Sequence, residues 1–478
     1  MAGFSEKRLV EDYLARELER LGWTYIPPHD LPRTDLPEVL ILEELEAAIH
    51  RLNEDLHLTP DELRRALTRL QLLGSGVEGH KRTLEYLKQG IPIKRDKTHE
   101  VIRVRLVDPH HPDRNRFFFT RQLPFEGHEP IRPDILLFVN GIPLVDIECK
   151  NPARPGVSWE DAYKQIKRYE QSVPELYHFI QMGVAAEREA RYFPIVPWKE
   201  EVHTYTWRTA RKEEDPLDAL LDLLRPVRLL DLVQYFLYFR EERNEYTKVL
   251  ARYMQVRAAN RIVRRVLVNM QRPLPPVLQE EEQEDTGKTR GLVWHWQGSG
   301  KTLTMIFASQ KLFRLLGNPT LFFVVDRVDL QDQLEREFSF LHIPVHARKI
   351  QSVRDLQRVL RADGYQGERG IFITLIHKFR PEDFQHFREC VEREVGHGPS
   401  FRTRSDIVLF VDEGHRTQYG VLGAEMYTLF PAGFAFGFTG TPLAAHGRDT
   451  FRVFAYPERG ELYLDKYFVS DSLRDGYT

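Results

Sequence analysis

Three short stretches of this sequence carry residue types at spacings that could do chemistry. In 292–305, LVWHWQGSGKTLTM, residues Gly298, Ser299, Gly300, Lys301 and Thr302 complete a phosphate-loop pattern, with His295 at the position of its usual first glycine. Glycines let backbone N–H groups approach an anion closely, the lysine reaches terminal phosphates, and the threonine hydroxyl can ligate Mg2+. In 406–420, DIVLFVDEGHRTQYG, an apolar run ends in Asp412 and Glu413, with His415 two residues on. Asp412 suits the Mg2+ shell of a bound ATP, Glu413 suits polarisation of an attacking water, and His415 could couple nucleotide state to a neighbouring strand. In 132–152, RPDILLFVNGIPLVDIECKNP, residues Asp134, Glu148 and Lys150 flank a turn sequence. Two carboxylates and a lysine on one patch are the chemistry of metal-dependent phosphodiester hydrolysis. Asp134 and Glu148 would hold Mg2+ with a backbone carbonyl near Cys149, and Lys150 would orient the water and lower its pKa.

Each group needs particular elements to position it. GLVWHW reads as a strand and KTLTMIFASQKLFRLL as a helix, so the loop between them would point backbone N–H groups and a positive helix end at phosphate. His295 then falls at the strand-to-loop transition, where an extended conformation suffices. The hairpin signal NGIP separates DILLFVN from LVDIECK. A turn centred near Gly141–Ile142 brings Asp134 opposite the face shared by Glu148 and Lys150. Asp146 alternates onto the same face and is assigned no role. Gln165 and Tyr169 stand four residues apart on one face of a predicted helix. Packing of Tyr169 alone would also explain that spacing.

Along the chain, 1–225 reads as a helix, then short strands including 101–108 and 116–123, then mixed α/β. Helices are expected over 228–270, followed by an exposed proline- and acid-rich linker through 290. From 291 to 478, apolar runs beginning near 291, 320, 370, 406 and 433 alternate with amphipathic segments. That rhythm predicts a parallel sheet covered on both faces, a doubly wound α/β domain. The expected organisation is therefore 1–225, a 226–290 helical extension and linker, and 291–478.

A chain of 478 residues exceeds one ordinary core, and 42% hydrophobic with 29% charged residues fits a globular protein. No run of eighteen apolar residues occurs, so no membrane span is expected. The charged N-terminus lacks a signal peptide's apolar segment, and Cys149 and Cys390 suggest no disulfide framework, so a cytoplasmic setting is expected. A net charge of −3 gives no global basic signature, but phosphate contacts need only a local basic face. Basic clusters at 110–122 and 252–265 are each explained as well by a solvated face.

GSGKT, DEGH and FTGTP, in that order, resemble motifs I, II and III of superfamily 2 helicases and DNA translocases. The resemblance assigns Thr439, Gly440 and Thr441 a coupling role. VVDRVDLQDQL (324–334) is similar to motif Ia, ITLIHKF (373–379) to a DNA-contact motif, and RYMQVRAANRIV (252–263) to a Q-type motif that would place Gln255 near an adenine edge. Gly414 stands where alanine is usual. The P-D…E-x-K pattern resembles PD-(D/E)xK nucleases, and Q-x-x-x-Y accompanies that core in RecB-like members. An acidic residue of the first helix often assists there; Glu6, Glu11 and Glu17 are candidates. Fold class is thus read as α/β, a PD-(D/E)xK nuclease-like mixed α/β domain followed by a RecA-like doubly wound parallel-sheet P-loop domain.

Nuclease first and motor second, with NRFFFTRQLPFEG, IECKNP, WHWQGSGKT and DEGHRTQYG in order, looks like the R subunit of type I restriction enzymes. The resemblance implies ATP and Mg2+ as cofactors and double-stranded DNA as substrate. Methylation and specificity subunits are its implied partners. The chain stops at FVSDSLRDGYT, soon after motif III. A fragment without the second RecA-like domain is expected, with slow or absent turnover. Two other readings stay open: a stand-alone helicase-nuclease of repair or phage defence, and an ATP-gated DNA-binding module whose hairpin carboxylates are structural.

Overall fold

A computed structural model describes residues 7–33, 35–209, 214–280, 284–341, 346–395, 400–412, 426–441, 444–445 and 448–477. The chain divides into two compact units, Met1–Tyr253 and Met254–Thr478. Among the described residues no helix is long and apolar enough to cross a membrane.

In the first unit, helices α1 (Lys7–Arg20), α2 (Leu42–Leu52), α3 (Pro60–Gln71) and α4 (Val77–Gln89) precede most of the strands. The main sheet is six-stranded, with strand order β1 (Thr24–Tyr25), β4 (Phe117–Arg121), β5 (Ile135–Val139), β6 (Ile142–Cys149), β7 (Met182–Ala186), β8 (Ala190–Pro194). It is mixed: β1 runs parallel to β4 and β6 parallel to β7, while the other pairs are antiparallel. Every residue of β5 and β6 is buried, as befits central strands with both faces covered. Helix α5 (Trp159–Ser172) lays Ala162, Ile166 and Tyr169 into an apolar cluster with Phe118, Leu136, Phe138 and Phe193. Ser158 starts that helix through a reciprocal capping box with Asp161.

The hairpin turn is centred on Asn140–Gly141, one residue earlier than Gly141–Ile142. Both residues take positive φ (53° and 81°), the type I′ geometry that matches strand twist. Asn140 is fully buried and its amide is satisfied: Nδ2 donates to Leu106 O at 2.8 Å and Oδ1 accepts from Arg116 N at 2.8 Å. The turn also sits on the start of α2, where Ile41 N donates to Gly141 O at 2.9 Å.

Three expectations change. The strand read at 101–108 is shorter, β3 (Val101–Val104), and pairs antiparallel with β2 (Ile91–Lys94) outside the main sheet. The helices expected over 228–270 are interrupted. After α6 (Pro174–Tyr177), α7 (Pro216–Leu223) and α8 (Pro226–Tyr235), strands β9 (Leu237–Glu242) and β10 (Glu245–Leu250) form a hairpin. Its turn residues Arg243 and Asn244 both have positive φ, and its strands are rich in aromatic and β-branched residues. The 271–290 segment is not a free linker. Past α9 (Tyr253–Asn269) and the short α10 (Pro276–Gln279), Val277, Leu278, Asp285 and Lys288 are buried. Arg265 Nε donates to Asp285 Oδ1 at 2.9 Å, and Lys288 Nζ to Glu461 Oε2 at 2.7 Å. The 226–290 segment is thus divided between the two units.

The second unit holds a seven-stranded sheet in the order β13 (Ala347–Ile350), β14 (Gly370–Leu375), β12 (Thr320–Val325), β15 (Ile407–Asp412), β16 (Phe434–Thr439), β11 (Arg290–His295), β19 (Asp465–Tyr467). All six pairings are parallel. The five apolar runs read from sequence are β11, β12, β14, β15 and β16. The edge strands β13 and β19 are too short and polar to give that signal. Helices α11 (Lys301–Leu316), α12 (Val328–Phe340), α13 (Val353–Tyr365) and α14 (Pro381–Val395) connect them, and a two-residue ribbon pairs β17 (Ala444–Ala445) with β18 (Arg448–Asp449).

A Cβ at Gly141 would lie 2.4 Å from Ile41 O and would need φ of +81°. Gly141→Ala is therefore expected to lower stability by about 1–3 kcal/mol, read as a lower denaturant midpoint; an unchanged midpoint would refute this account of the turn.

Candidate functional site

In the first unit, β5 and β6 pair with Ile135 opposite Ile147, which sets Asp134 beside Glu148. Asp134 N donates to Glu148 Oε1 at 3.1 Å, and Cys149 N donates to Asp134 Oδ2 at 2.9 Å. Lys150 Nζ donates to Gln165 Oε1, and Gln165 Nε2 donates to Tyr169 OH at 2.8 Å. Five residues expected at this site, Asp134, Glu148, Lys150, Gln165 and Tyr169, are thus linked by two short hydrogen-bonded series. Helix α5 carries Gln165 and Tyr169 on the face turned to β6, as their four-residue spacing requires.

Electrostatics at this patch are only partly compensated: the Asp134 N–H and the Lys150 charge favour ionised Glu148, against burial and two neighbouring acids. Glu148 is wholly buried and its Oε2 has no hydrogen-bond partner among the described residues. Burial pushes its carboxyl well above the usual range, and the Asp134 and Asp146 charges push it further. Asp146 is also wholly buried, and burial pushes it up to about 7 although the Tyr177 hydroxyl donates to Oδ2. A divalent cation is the species that would offset such a group, so the donor set fits Mg2+. Among the described residues no three His, Cys, Asp or Glu side chains form a ready-made metal cluster. The donors on offer are instead two carboxylates plus backbone oxygen.

Of the N-terminal acids, Glu6 lies outside the described residues and Glu17 pairs with Arg16 and Arg20. Glu11 is the one that reaches the patch: Arg121 Nε donates to its Oε1 at 2.8 Å. Burial raises its pKa against the pull of Arg121, and Asp134 adds to the rise. Two participants were absent from the sequence reading, Arg121 and Gln122. Gln122 Nε2 donates to Asp134 Oδ1 at 2.7 Å. Its backbone φ of +54° leaves no mark in sequence.

In the second unit, β11 leads into 296–300 and α11 begins at Lys301. Gly298 and Gly300 take φ of +81° and +79°, so glycine is required at both. Ser299 is buried, and its Oγ has no partner among the described residues. Gln255, buried on α9, donates through Nε2 to Ser299 O at 3.1 Å and Gly300 O at 3.4 Å. Gln255 thus braces the loop through two of its backbone carbonyls. Its amide hydrogens satisfy carbonyls that the tight turn turns inward.

His295 remains in the extended strand, paired with Tyr467, so no glycine is needed there. Its wholly buried ring places Nε2 2.8 Å from Asp465 Oδ1, and since a carboxylate only accepts, Nε2 carries the proton. Asp465 also accepts from Arg257 (2.6 and 2.9 Å) and Arg261 (2.9 Å). Burial would raise Asp465, but these cations and the His295 hydrogen bond hold it well below the carboxylate range. Burial lowers His295 despite Asp465. The motif reading did not include Asp465, because a lone aspartate in DKY carries no spacing signal.

Asp412 ends β15 in register with Phe438, and Thr439 ends β16 opposite Trp294. Trp294 Nε1 donates to Gly440 O at 3.0 Å, and Thr441 N to Thr439 Oγ1 at 3.1 Å. A Cβ at Gly440 would lie 3.5 Å from Gln297 N and 3.6 Å from Lys301 Nζ, so 439–441 runs beside the loop. Lys301 and Thr302 are half-buried at the first turn of α11. Glu413 and His415 lie outside the described residues.

Comparison with known proteins adds the following. Residues 3–202 match the family model described as type I restriction enzyme R protein N terminus, and 254–478 match that of the SWI2/SNF2 ATPase. A putative type I restriction enzyme MjaVIIIP endonuclease subunit of Methanocaldococcus jannaschii is 30% identical, covering 98% of this chain and 45% of its own length. The type I restriction enzyme HindI endonuclease subunit of Haemophilus influenzae is 31% identical, with the same 98% and 45% coverage. The chain thus spans about half the length of the relatives it matches. Among solved structures, the nuclease-deletion mutant of the Type ISP restriction-modification enzyme LlaGI is 12% identical, with a TM-score of 0.31 over 47% of this chain and 20% of that one.

Removing the Gln255 brace is expected to weaken nucleotide binding. Gln255→Ala should raise the Kd about tenfold, the worth of one or two net hydrogen bonds, in a fluorescent-nucleotide titration; an unchanged Kd would detach Gln255 from the loop.

Proposed function

The chain belongs to the family of type I restriction enzyme R proteins, and on that premise we propose that it couples ATP-driven movement of double-stranded DNA to Mg2+-dependent cleavage of that DNA. The observation that carries the cleavage reading is Glu148: a buried carboxylate with one oxygen unpartnered among the described residues, set beside Asp134 and Lys150. Asp134 and Glu148 hold the cation. Lys150, kept in place by Gln165 and Tyr169, orients the attacking water and favours its deprotonation. The bound cation supplies positive charge that makes the water more acidic and offsets charge on the phosphodiester.

In the second unit the glycine loop and the N-terminus of α11 receive the phosphates. Lys301 meets the terminal ones, Thr302 and Asp412 complete a Mg2+ site, and Glu413 polarises the water. Thr439, Gly440 and Thr441, running beside the loop, transmit phosphate loss to the strand edge, and His415 couples nucleotide state to the neighbouring strand. Double-stranded DNA is the substrate, and methylation and specificity subunits of a type I restriction complex are the partners.

The test uses the assembled complex with ATP, Mg2+ and plasmid DNA. Glu148→Ala should abolish cleavage while ATP hydrolysis continues, and Gln165→Ala should slow cleavage roughly 10–100-fold through Lys150. Cleavage at the unaltered rate in Glu148→Ala would sink the nuclease reading. Lys301→Ala should weaken nucleotide binding but leave cation binding at the hairpin intact; loss of both would refute two separate sites.

A further inference from the structure

Arg121 and Gln122, consecutive residues at the end of β4, divide the acidic groups around Asp134 between them. Arg121 takes Glu11 through Nε at 2.8 Å and Asp12 through Nη2. Gln122 takes Asp134 twice, since its backbone N donates to Asp134 O at 3.1 Å and its Nε2 to Asp134 Oδ1 at 2.7 Å. The same Nε2 stands 3.5 Å from Glu11 Oε2, so the amide lies between the two carboxylates. The opposite amide orientation would set its oxygen against two acceptors, so chemistry fixes the donor inward. To place it there the chain holds Gln122 at φ +54°, a conformation a side chain of this length rarely adopts.

We propose that Gln122 restricts the hairpin site to a single divalent cation. The inference rests on the nuclease reading above. Two-metal sites set their ions about 3.5–4 Å apart and share a carboxylate between them. Here the shared carboxylate would be Asp134, with Glu11 as the second ion's further ligand. Gln122 fills the space between them with an amide nitrogen, which cannot ligate a cation, while Arg121 already neutralises Glu11. Asp146, the other acid near Glu148, accepts the Tyr177 hydroxyl at Oδ2, while its Oδ1 is buried without a partner among the described residues. What remains is the Glu148 side of Asp134, where Glu148 Oε2 and Asp146 Oδ1 are buried and without partners among the described residues.

The experiment counts Mn2+ bound by the whole chain without nucleotide, by calorimetry, taking ions lost in Asp134→Ala as those of the hairpin site. The unaltered protein should bind one, Gln122→Glu two, and Gln122→Asn, which keeps an amide and tolerates positive φ, one. Two ions in the unaltered protein, or one in folded Gln122→Glu, would overturn the proposal. Should Gln122→Glu fail to fold, Gln122→Ala serves: it opens the Asp134–Glu11 gap and should admit a second, weaker ion, and a count of one overturns the proposal. No ion in the unaltered protein would instead remove the nuclease reading on which it rests.

Discussion

The cost of burying a carboxylate organises both units, and the two units meet it in opposite ways. Asp465 is wholly buried yet accepts four hydrogen bonds from Arg257, Arg261 and His295. Its charge is met within the protein, so it serves to hold elements together. Glu148 is buried to the same degree, with one oxygen unpartnered among the described residues and two further carboxylates nearby. Within the chain the Asp134 N–H and the Lys150 charge offset its charge, but burial and the neighbouring acids outweigh them. An unmet charge at a cost of several kcal/mol persists where a ligand relieves it. That contrast sets Glu148 apart from Asp465 more sharply than burial or motif membership does.

Register is what converts the hairpin sequence into a site. A slip of one residue would turn Asp134 or Glu148 to the other face of the sheet. The Asn140–Gly141 turn and a one-residue bulge at Leu144 together fix the register that sets Asp134 beside Glu148, and Asn140 holds the turn through its buried amide, bonded to Leu106 and Arg116. Helix α5 then presents Gln165 and Tyr169 to Lys150 because its apolar residues Ala162 and Ile166 must face the sheet. Packing and polar satisfaction specify one geometry together.

The second unit applies a related logic to its phosphate loop. The loop's glycines supply the left-handed backbone, but α9 supplies its support: Gln255 braces the loop carbonyls, and Arg257 and Arg261 anchor Asp465, which in turn anchors His295. A histidine at the loop's entrance is compatible with phosphate binding because the residue is still in the strand. What looked like a defect in the pattern is a second attachment point between the central strand and its edge neighbour.

Much of this was legible in the amino-acid sequence. The apolar runs located five of the seven parallel strands, because strands buried on both faces leave continuous apolar stretches. Asn-Gly between two such runs located the hairpin, and simple alternation placed Glu148 with Lys150. The short edge strands, the β9–β10 hairpin and the docking of 271–290 were not legible, since each depends on partners distant in sequence. Likewise, nothing local distinguishes Glu11 from Glu17, or marks Gln122 and Asp465. The sequence by itself determined which elements exist and which residue types reach their ends, because periodicity and turn chemistry are local. Only the tertiary structure decided which charges are compensated, because compensation is set by neighbours that folding alone brings within hydrogen-bond reach.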